Sequence, residues 1–365
     1  MTAGANGSIP VDGSPPIQLS PTTEEGVSSG FLAPSPLAGE GISSSSHLLL
    51  APSHLVGEGW EEGASRSGLA IRPKPLGSRG ARLCRRITRH HARTFSFASA
   101  CLPRPTRRHA YAVYGFCRWA DNGVDDARDR AEAAGRLDRA REALDLAYSR
   151  APAPPGLAEF RRTARLRSIP RHLFDDLLDG MEMDLDITRY ADFAALDRYC
   201  YRVAGVVGLM MTHVFGYRSD RCLPHALALG TAMQLTNILR DIAEDHRMGR
   251  IYLPLDELAR FGLTEADLAE GRVDDRFRAL MRFQVDRARW YYAESEAGIP
   301  WLSGDSSRLT VRVMGRLYGG ILGAIERQGY DVFRARARVS TPRKLATLAD
   351  CQLRTGRDAW RRFWG

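Results

Sequence analysis

The chain has 365 residues, 44% of them apolar and 26% charged, with a formal net charge of +9. That balance excludes a mainly disordered chain and a disulfide-stapled mini-protein. No run approaches the roughly 18 apolar residues of a membrane-spanning helix; the best, Val206 to Phe215, holds Thr212 and His213.

Residues 1–80 are rich in Ser, Gly and Pro and sustain no helical or strand period. Within them Leu32 to Gly41 (LAPSPLAGEG) recurs as Leu50 to Gly59 (LAPSHLVGEG), a repeat too short and polar to stack into a solenoid. The basic start and apolar core of a secretory signal are both missing. The stretch reads as a disordered extension or as sequence upstream of the true start. From Ala81 onward three- and four-residue apolar steps predict helices over Arg107–Ala127, Ala158–Leu178, Leu196–Phe215, Pro224–Glu244, Asp274–Ala297 and Ser307–Gln328. Pro and Gly clusters break them at Ala151–Gly156, Gly249–Pro254, Gly298–Gly304 and Gly329. The expected architecture is all-α, one helical-bundle domain over residues 81–365 with room for a central cavity. Six scattered cysteines show no CxxC pair and no Cys/His metal spacing, which predicts reduced thiols in a cytoplasmic protein.

Two predicted helices carry acids where apolar residues belong. Tyr114, Cys117 and Asp121 continue one stripe, and Asp125 lies one turn on. In the second, Gln234, Asn237, Asp241 and Asp245 form an oxygen-rich ridge beside Leu235, Ile238, Leu239 and Ile242. Either helix alone reads as a solvated polar face. Together, in one all-α domain, they present four or five hard oxygen ligands. Such a set suits Mg²⁺, which completes its octahedron with water and substrate phosphate oxygens. Arg118 and Arg240 stand beside the acids and could clamp the same phosphates. A diphosphate substrate is the expectation. Of 52 basic residues only Lys74 and Lys344 are lysines, and guanidinium forks suit phosphate well. Arginine is spread through every helix rather than gathered on one module, which argues against nucleic acid. The densest spot, Arg354 to Trp364, mixes arginine with Trp360, Phe363 and Trp364 and reads as a peripheral membrane contact.

Asp121-x-x-x-Asp125 and Asn237-x-x-x-Asp241-x-x-x-Asp245 resemble the two aspartate-rich motifs of the squalene/phytoene synthases. The segments His91–Phe97, Tyr199–Gly208, Gln234–Asp241, Gly249–Pro254 and Tyr330–Phe333 resemble the same family, and the likeness runs from about Leu83 to Leu348. It implies an isoprenoid-synthase-type bundle and a head-to-head prenyl transferase using Mg²⁺, with Mn²⁺ as a substitute. The metal would sit on Asp121, Asp125, Asn237, Asp241 and Asp245. The resemblance also places His91, Arg118, Gln234, Arg240 and Arg336 around the diphosphates, and Tyr199 and Tyr318 in the catalytic region. Arg334 and Arg338 compete with Arg336 for that alignment, and His90 with His91. Asn122 stands where the family usually has a second Asp, and Ala92 where Ser is frequent.

The run Ser307–Leu322 and Tyr330–Phe333 lie nearest to bacterial phytoene synthases. The implied reaction joins two geranylgeranyl diphosphates through a cyclopropyl diphosphate to phytoene, without NADPH. The alternatives are presqualene diphosphate or squalene synthesis from two farnesyl diphosphates and, remotely, a non-catalytic assembly factor of the same fold.

Overall fold

The computed structural model describes residues 79–154 and 156–364. The expectation for residues 1–78 lies outside them. Fourteen α-helices occur among the described residues: α1 (Arg79–His91), α2 (Arg93–Ser99), α3 (Arg104–Asp125), α4 (Arg130–Tyr148), α5 (Ala158–Leu166), α6 (His172–Asp186), α7 (Phe193–Cys200), α8 (Val206–Phe215), α9 (Leu223–Arg247), α10 (Leu255–Arg260), α11 (Glu265–Ala269), α12 (Asp275–Glu296), α13 (Asp305–Arg327) and α14 (Thr341–Trp364). No strand occurs among these residues, so the all-α expectation holds. A π-helical turn, Tyr201–Gly205, runs α7 into α8.

Local chemistry sets the ends. Asp129, Asp192 and Asp274 cap α4, α7 and α12 by accepting from the backbone N–H three residues on. Thr264 and Asp267 form a reciprocal capping box on α11. Gly329 (φ 62°), just past α13, supplies the left-handed turn that ends that helix.

One expected helix is two. Ala158–Leu178 divides into α5 and α6 because Ser168 takes a left-handed φ of 47° and Pro170, with no N–H, cannot continue the ladder. The re-aimed α6 carries Met181 and Asp184 inward, both buried.

Helix α9 lies at the centre, packed on α12, α13, α8 and the π turn. Glycines make that crossing close. A Cβ on Gly208 would stand 2.4 Å from the Ala226 carbonyl oxygen, and one on Gly230 would stand 2.4 Å from that of Ala204. Neither position has room for a side chain, and the close crossing holds α9 against α8 and the π turn, which continue from the helix that carries Tyr199. Two isolated bridges among the described residues, Arg189–Ile251 and Tyr217–Leu302, tie loops to loops. In the first, Ile251 N–H donates to Thr188 O and Leu255 N–H to Tyr190 O, stitching residues 250–255 along the end of α6.

Candidate active site

The acidic ridges are buried. Asp121 and Asp125 on α3, and Gln234, Asn237, Asp241 and Asp245 on α9, are all at most 6% exposed. The solvated-face reading fails for both helices. Buried carboxylates need compensation, and arginine supplies part of it. Arg118 Nη1 donates to Asp121 Oδ2 at 2.6 Å. Asp241 accepts two guanidinium forks: Arg240 Nε donates to its Oδ1 at 2.8 Å, and Arg336 donates from Nε at 2.7 Å and from Nη2 at 2.8 Å. Arg334 and Arg338 are exposed instead. Arg336 is thus the arginine of the three that the fold brings to the second acidic ridge.

The two ridges belong to one electrostatic neighbourhood. Buried Tyr114 on α3 feels Arg118, Asp121 and Tyr318, and Tyr318 on α13 feels Arg240, Asp241 and Arg336. Burial dominates for both phenols and holds them above their ordinary range. His91, at the end of α1, is pushed down to about 4, first by burial and then by the charges of Arg118 and His90. The ring is therefore neutral near pH 7.

At the other end of the ridges stands a residue the sequence reading passed over. Buried Arg250 lies within electrostatic reach of Asp125, Asp184 and Tyr199, and its charge also bears on Asp245. Its Nη2 donates to the Asp184 carbonyl at 3.0 Å. Burial and the neighbouring charges of Asp241 and Glu244 raise the Asp245 carboxyl well above the ordinary carboxylate range. Tyr199 and Tyr252 both donate to the Asp184 carboxylate. Asp184 was open to discovery by the signal that marked Asp121, an acid on an apolar helical stripe, here Phe174, Leu177 and Met181. Its partners come from segments distant in sequence, so its spacing alone names no chemistry.

The donor set is compatible with a hard divalent cation: carboxylates and amides only, without thiol or imidazole. Both amide atoms of buried Gln234 and the Oδ1 of Asn122 have no hydrogen-bond partner among the described residues, so this region holds polar capacity that the protein leaves unused. No group of three or more His, Cys, Asp or Glu side chains among the described residues is drawn together as a metal cage. In this arrangement arginines lie on Asp121 and Asp241.

An apolar cavity opens beside Tyr114, lined by Phe95, Met211, Phe215, Leu229 and Met233 among others. It lies among α2, α3, α8, α9 and α13. A polyprenyl tail fits such a lining, and a dry wall protects a carbocation from water.

The family model described as squalene/phytoene synthase matches residues 88–343. The phytoene synthase of Arthrospira platensis is 42% identical over 285 residues, covering 74% of this chain and 92% of that protein. The 15-cis-phytoene synthase of Synechococcus elongatus is 42% identical over 283 residues, with coverage of 74% and 92%. Among solved structures, a dehydrosqualene synthase in complex with a ligand matches with a TM-score of 0.70 at 31% identity, over 75% of this chain and 95% of that one. A squalene synthase from Alicyclobacillus acidocaldarius matches with a TM-score of 0.65 at 30% identity, over 69% and 94%.

Proposed function

The chain belongs to the squalene/phytoene synthase family, and from that premise we propose that it joins two geranylgeranyl diphosphates into phytoene, the entry step of carotenoid synthesis. The observation that carries this reading is the 42% identity to phytoene synthases across nearly their whole length. In the first half-reaction, C1 of one substrate loses diphosphate and bonds to the double bond of the other. A proton leaves and a cyclopropyl diphosphate forms. In the second, that intermediate loses its own diphosphate, rearranges and gives up a proton to become the hydrocarbon.

The chain's residues divide this work. Arg118, Arg240 and Arg336, held on Asp121 and Asp241 in this structure, are the forks that turn to phosphate oxygens when substrate enters. Neutral His91 and the amide of Gln234 add uncharged hydrogen-bonding groups. Asp121, Asp125, Asn237, Asp241 and Asp245 would hold Mg²⁺, and Mn²⁺ in its place. When bound, the metal supplies positive charge that stabilises the departing diphosphate. Tyr199 and Tyr318 present phenol oxygens to the cationic intermediates, and the apolar cavity keeps water from quenching them. No step consumes a reductant, so NADPH has no part in the reaction.

Farnesyl diphosphate is the second reading, favoured by the squalene-type enzymes among the structural neighbours. A non-catalytic assembly role fits poorly with the presence of all five motif positions, Asp121, Asp125, Asn237, Asp241 and Asp245. Supplying the full-length protein with Mg²⁺ and either substrate, followed by mass spectrometry of the extract, separates the readings. Phytoene from geranylgeranyl diphosphate is the expected product. A presqualene- or squalene-type product from farnesyl diphosphate would move the protein to the second reading, and turnover of neither would favour the scaffold.

Among the described residues no helix is long and apolar enough to cross a membrane. Peripheral docking through α14 is part of the proposal. Leu345, Leu353 and Trp360, spaced by about two turns each, are 56%, 68% and 65% exposed, with Arg354 and Arg357 exposed beside them. An apolar stripe flanked by arginine suits an anionic lipid surface, where a hydrocarbon product would be delivered.

A further inference from the structure

Asp184 is 3% exposed and lies on α6, outside both acidic ridges. Its two carboxylate oxygens are shared between two buried phenols. Tyr199 Oη donates to Oδ2 at 3.1 Å, and Tyr252 Oη donates to Oδ1 at 3.0 Å. The phenol oxygens are themselves 3.4 Å apart. Each phenol has one hydrogen, and the shorter contacts direct both hydrogens to Asp184.

The surroundings lock this arrangement. Tyr190 stacks on Tyr252 with ring centroids 5.7 Å apart and lies tilted against Tyr199 at 5.4 Å. Arg250 donates to the Asp184 carbonyl, and the parallel bridge at Arg189–Ile251 pins the strip carrying Tyr252 to the end of α6. The network also reaches the acidic ridge, because Arg250 and Tyr252 line a small cavity together with Asp245.

We propose that Asp184 is a positioning residue for the condensation: by taking the hydrogens of Tyr199 and Tyr252, it makes both phenols face the reacting region as acceptors with fixed lone pairs. A phenol free to rotate can turn its hydrogen toward a diphosphate oxygen. A phenol whose hydrogen is held by a carboxylate presents only its electron-rich side. That polarity suits an allylic or cyclopropylcarbinyl cation, and preorganised dipoles of this kind need no reorientation as charge develops. Asp184 itself touches no substrate in this scheme. It acts through the two tyrosines.

The proposal rests on the prenyl-transfer reading, and its test separates the two. Rates are compared on whichever prenyl diphosphate the wild-type full-length protein converts, so a farnesyl-derived product counts against the substrate reading and leaves Asp184 testable. Asp184→Asn keeps the shape but turns one acceptor into an N–H donor, forcing one phenol hydrogen outward. With the circular dichroism spectrum preserved, kcat should fall at least about tenfold while KM stays within about twofold. Combining it with Tyr199→Phe should cost no more than the more damaging single change, since both break one unit. Wild-type kcat in folded Asp184→Asn, or losses that multiply in the double variant, would overturn the proposal. Should Asp184→Asn fail to fold, Tyr252→Phe takes its place. It leaves the carboxylate intact and should show the same kcat loss at constant KM and the same non-additivity with Tyr199→Phe, and multiplying losses there would again overturn it. A wild-type protein inactive on both substrates would overturn this proposal and the reaction together.

Discussion

Arg336 shows how a single side chain acquires its place. Three arginines, Arg334, Arg336 and Arg338, alternate along the segment after α13 and are equivalent by composition. The backbone exposes the outer two and aims the middle one at Asp241, where a planar fork meets a planar carboxylate. Lysine would keep the charge and lose the fork. Arg336→Lys should therefore raise KM for the prenyl diphosphate about tenfold, while Arg334→Lys and Arg338→Lys leave it unchanged; equal effects from all three would show that bulk charge is what matters. His109 offers a pH-dependent test. Its Nδ1 lies 2.8 Å from Thr163 Oγ1, and burial, then Arg167 and Arg162, hold the ring down at about 4. In the unfolded chain it titrates near the ordinary value of 6.5. As pH falls from 6.5 to 4 the unfolded state takes up a proton that the folded state refuses, so this contribution to stability is full above 6.5 and lost on the way down. Thermal melts of wild type and His109→Gln should diverge in slope over that window, the wild type falling faster. Parallel curves would contradict the assignment. Asp121 was readable from spacing because it interrupts an apolar stripe. Tyr252 and Arg250 were visible only as parts of a familiar segment, and their contact with Asp184 spans more than sixty residues.

Helix α9 and its neighbours show where periodicity suffices and where it stops. The oxygen-rich ridge of α9 follows from three- and four-residue steps, and the structure keeps that ridge on one helix from Leu223 to Arg247. The joint between α5 and α6 was lost to the same method, because apolar steps carry across Ser168 and Pro170 even though the backbone cannot. The π turn at Tyr201–Gly205 leaves no trace in the pattern either; its one extra residue per turn is a backbone choice. The close approach at Gly208 and Gly230 needed coordinates, because the two glycines lie on different helices and meet only where those helices cross. Gly208→Ala would drive a methyl into the Ala226 carbonyl, and the resulting strain should cost about 1–3 kcal/mol. Denaturant melts showing no loss would mean that the crossing is looser than described. For α14, the paired change Leu353→Ser and Trp360→Ser touches side chains that are mostly exposed, so folding should be spared. Binding to anionic phosphatidylglycerol vesicles should fall several-fold, and unchanged binding would remove α14 from the membrane contact.

At the scale of the molecule, two helices from distant parts of the chain supply the acids, a strip after α9 supplies Tyr252 and Arg250, and α13 closes the set with Tyr318. An apolar cavity adjoins them through Tyr114. The sequence pattern carried the class of fold and the expectation of a diphosphate headgroup, because two helices of one all-α domain both set acids and arginines beside apolar stripes. Tail length was not readable in the same way, since the lining of the cavity is drawn from helices that meet only in the folded chain. In the proposed reaction one acidic site removes two diphosphates in succession from a pair of prenyl substrates. Its most direct measurement is the stoichiometry of inorganic diphosphate against hydrocarbon, with geranylgeranyl diphosphate and Mg²⁺ as the only additions. Two diphosphates released for each phytoene formed, both ceasing when EDTA removes the metal, is the predicted result. One diphosphate per coupled product, with a cyclopropyl diphosphate accumulating, or release that persists in EDTA, would contradict it.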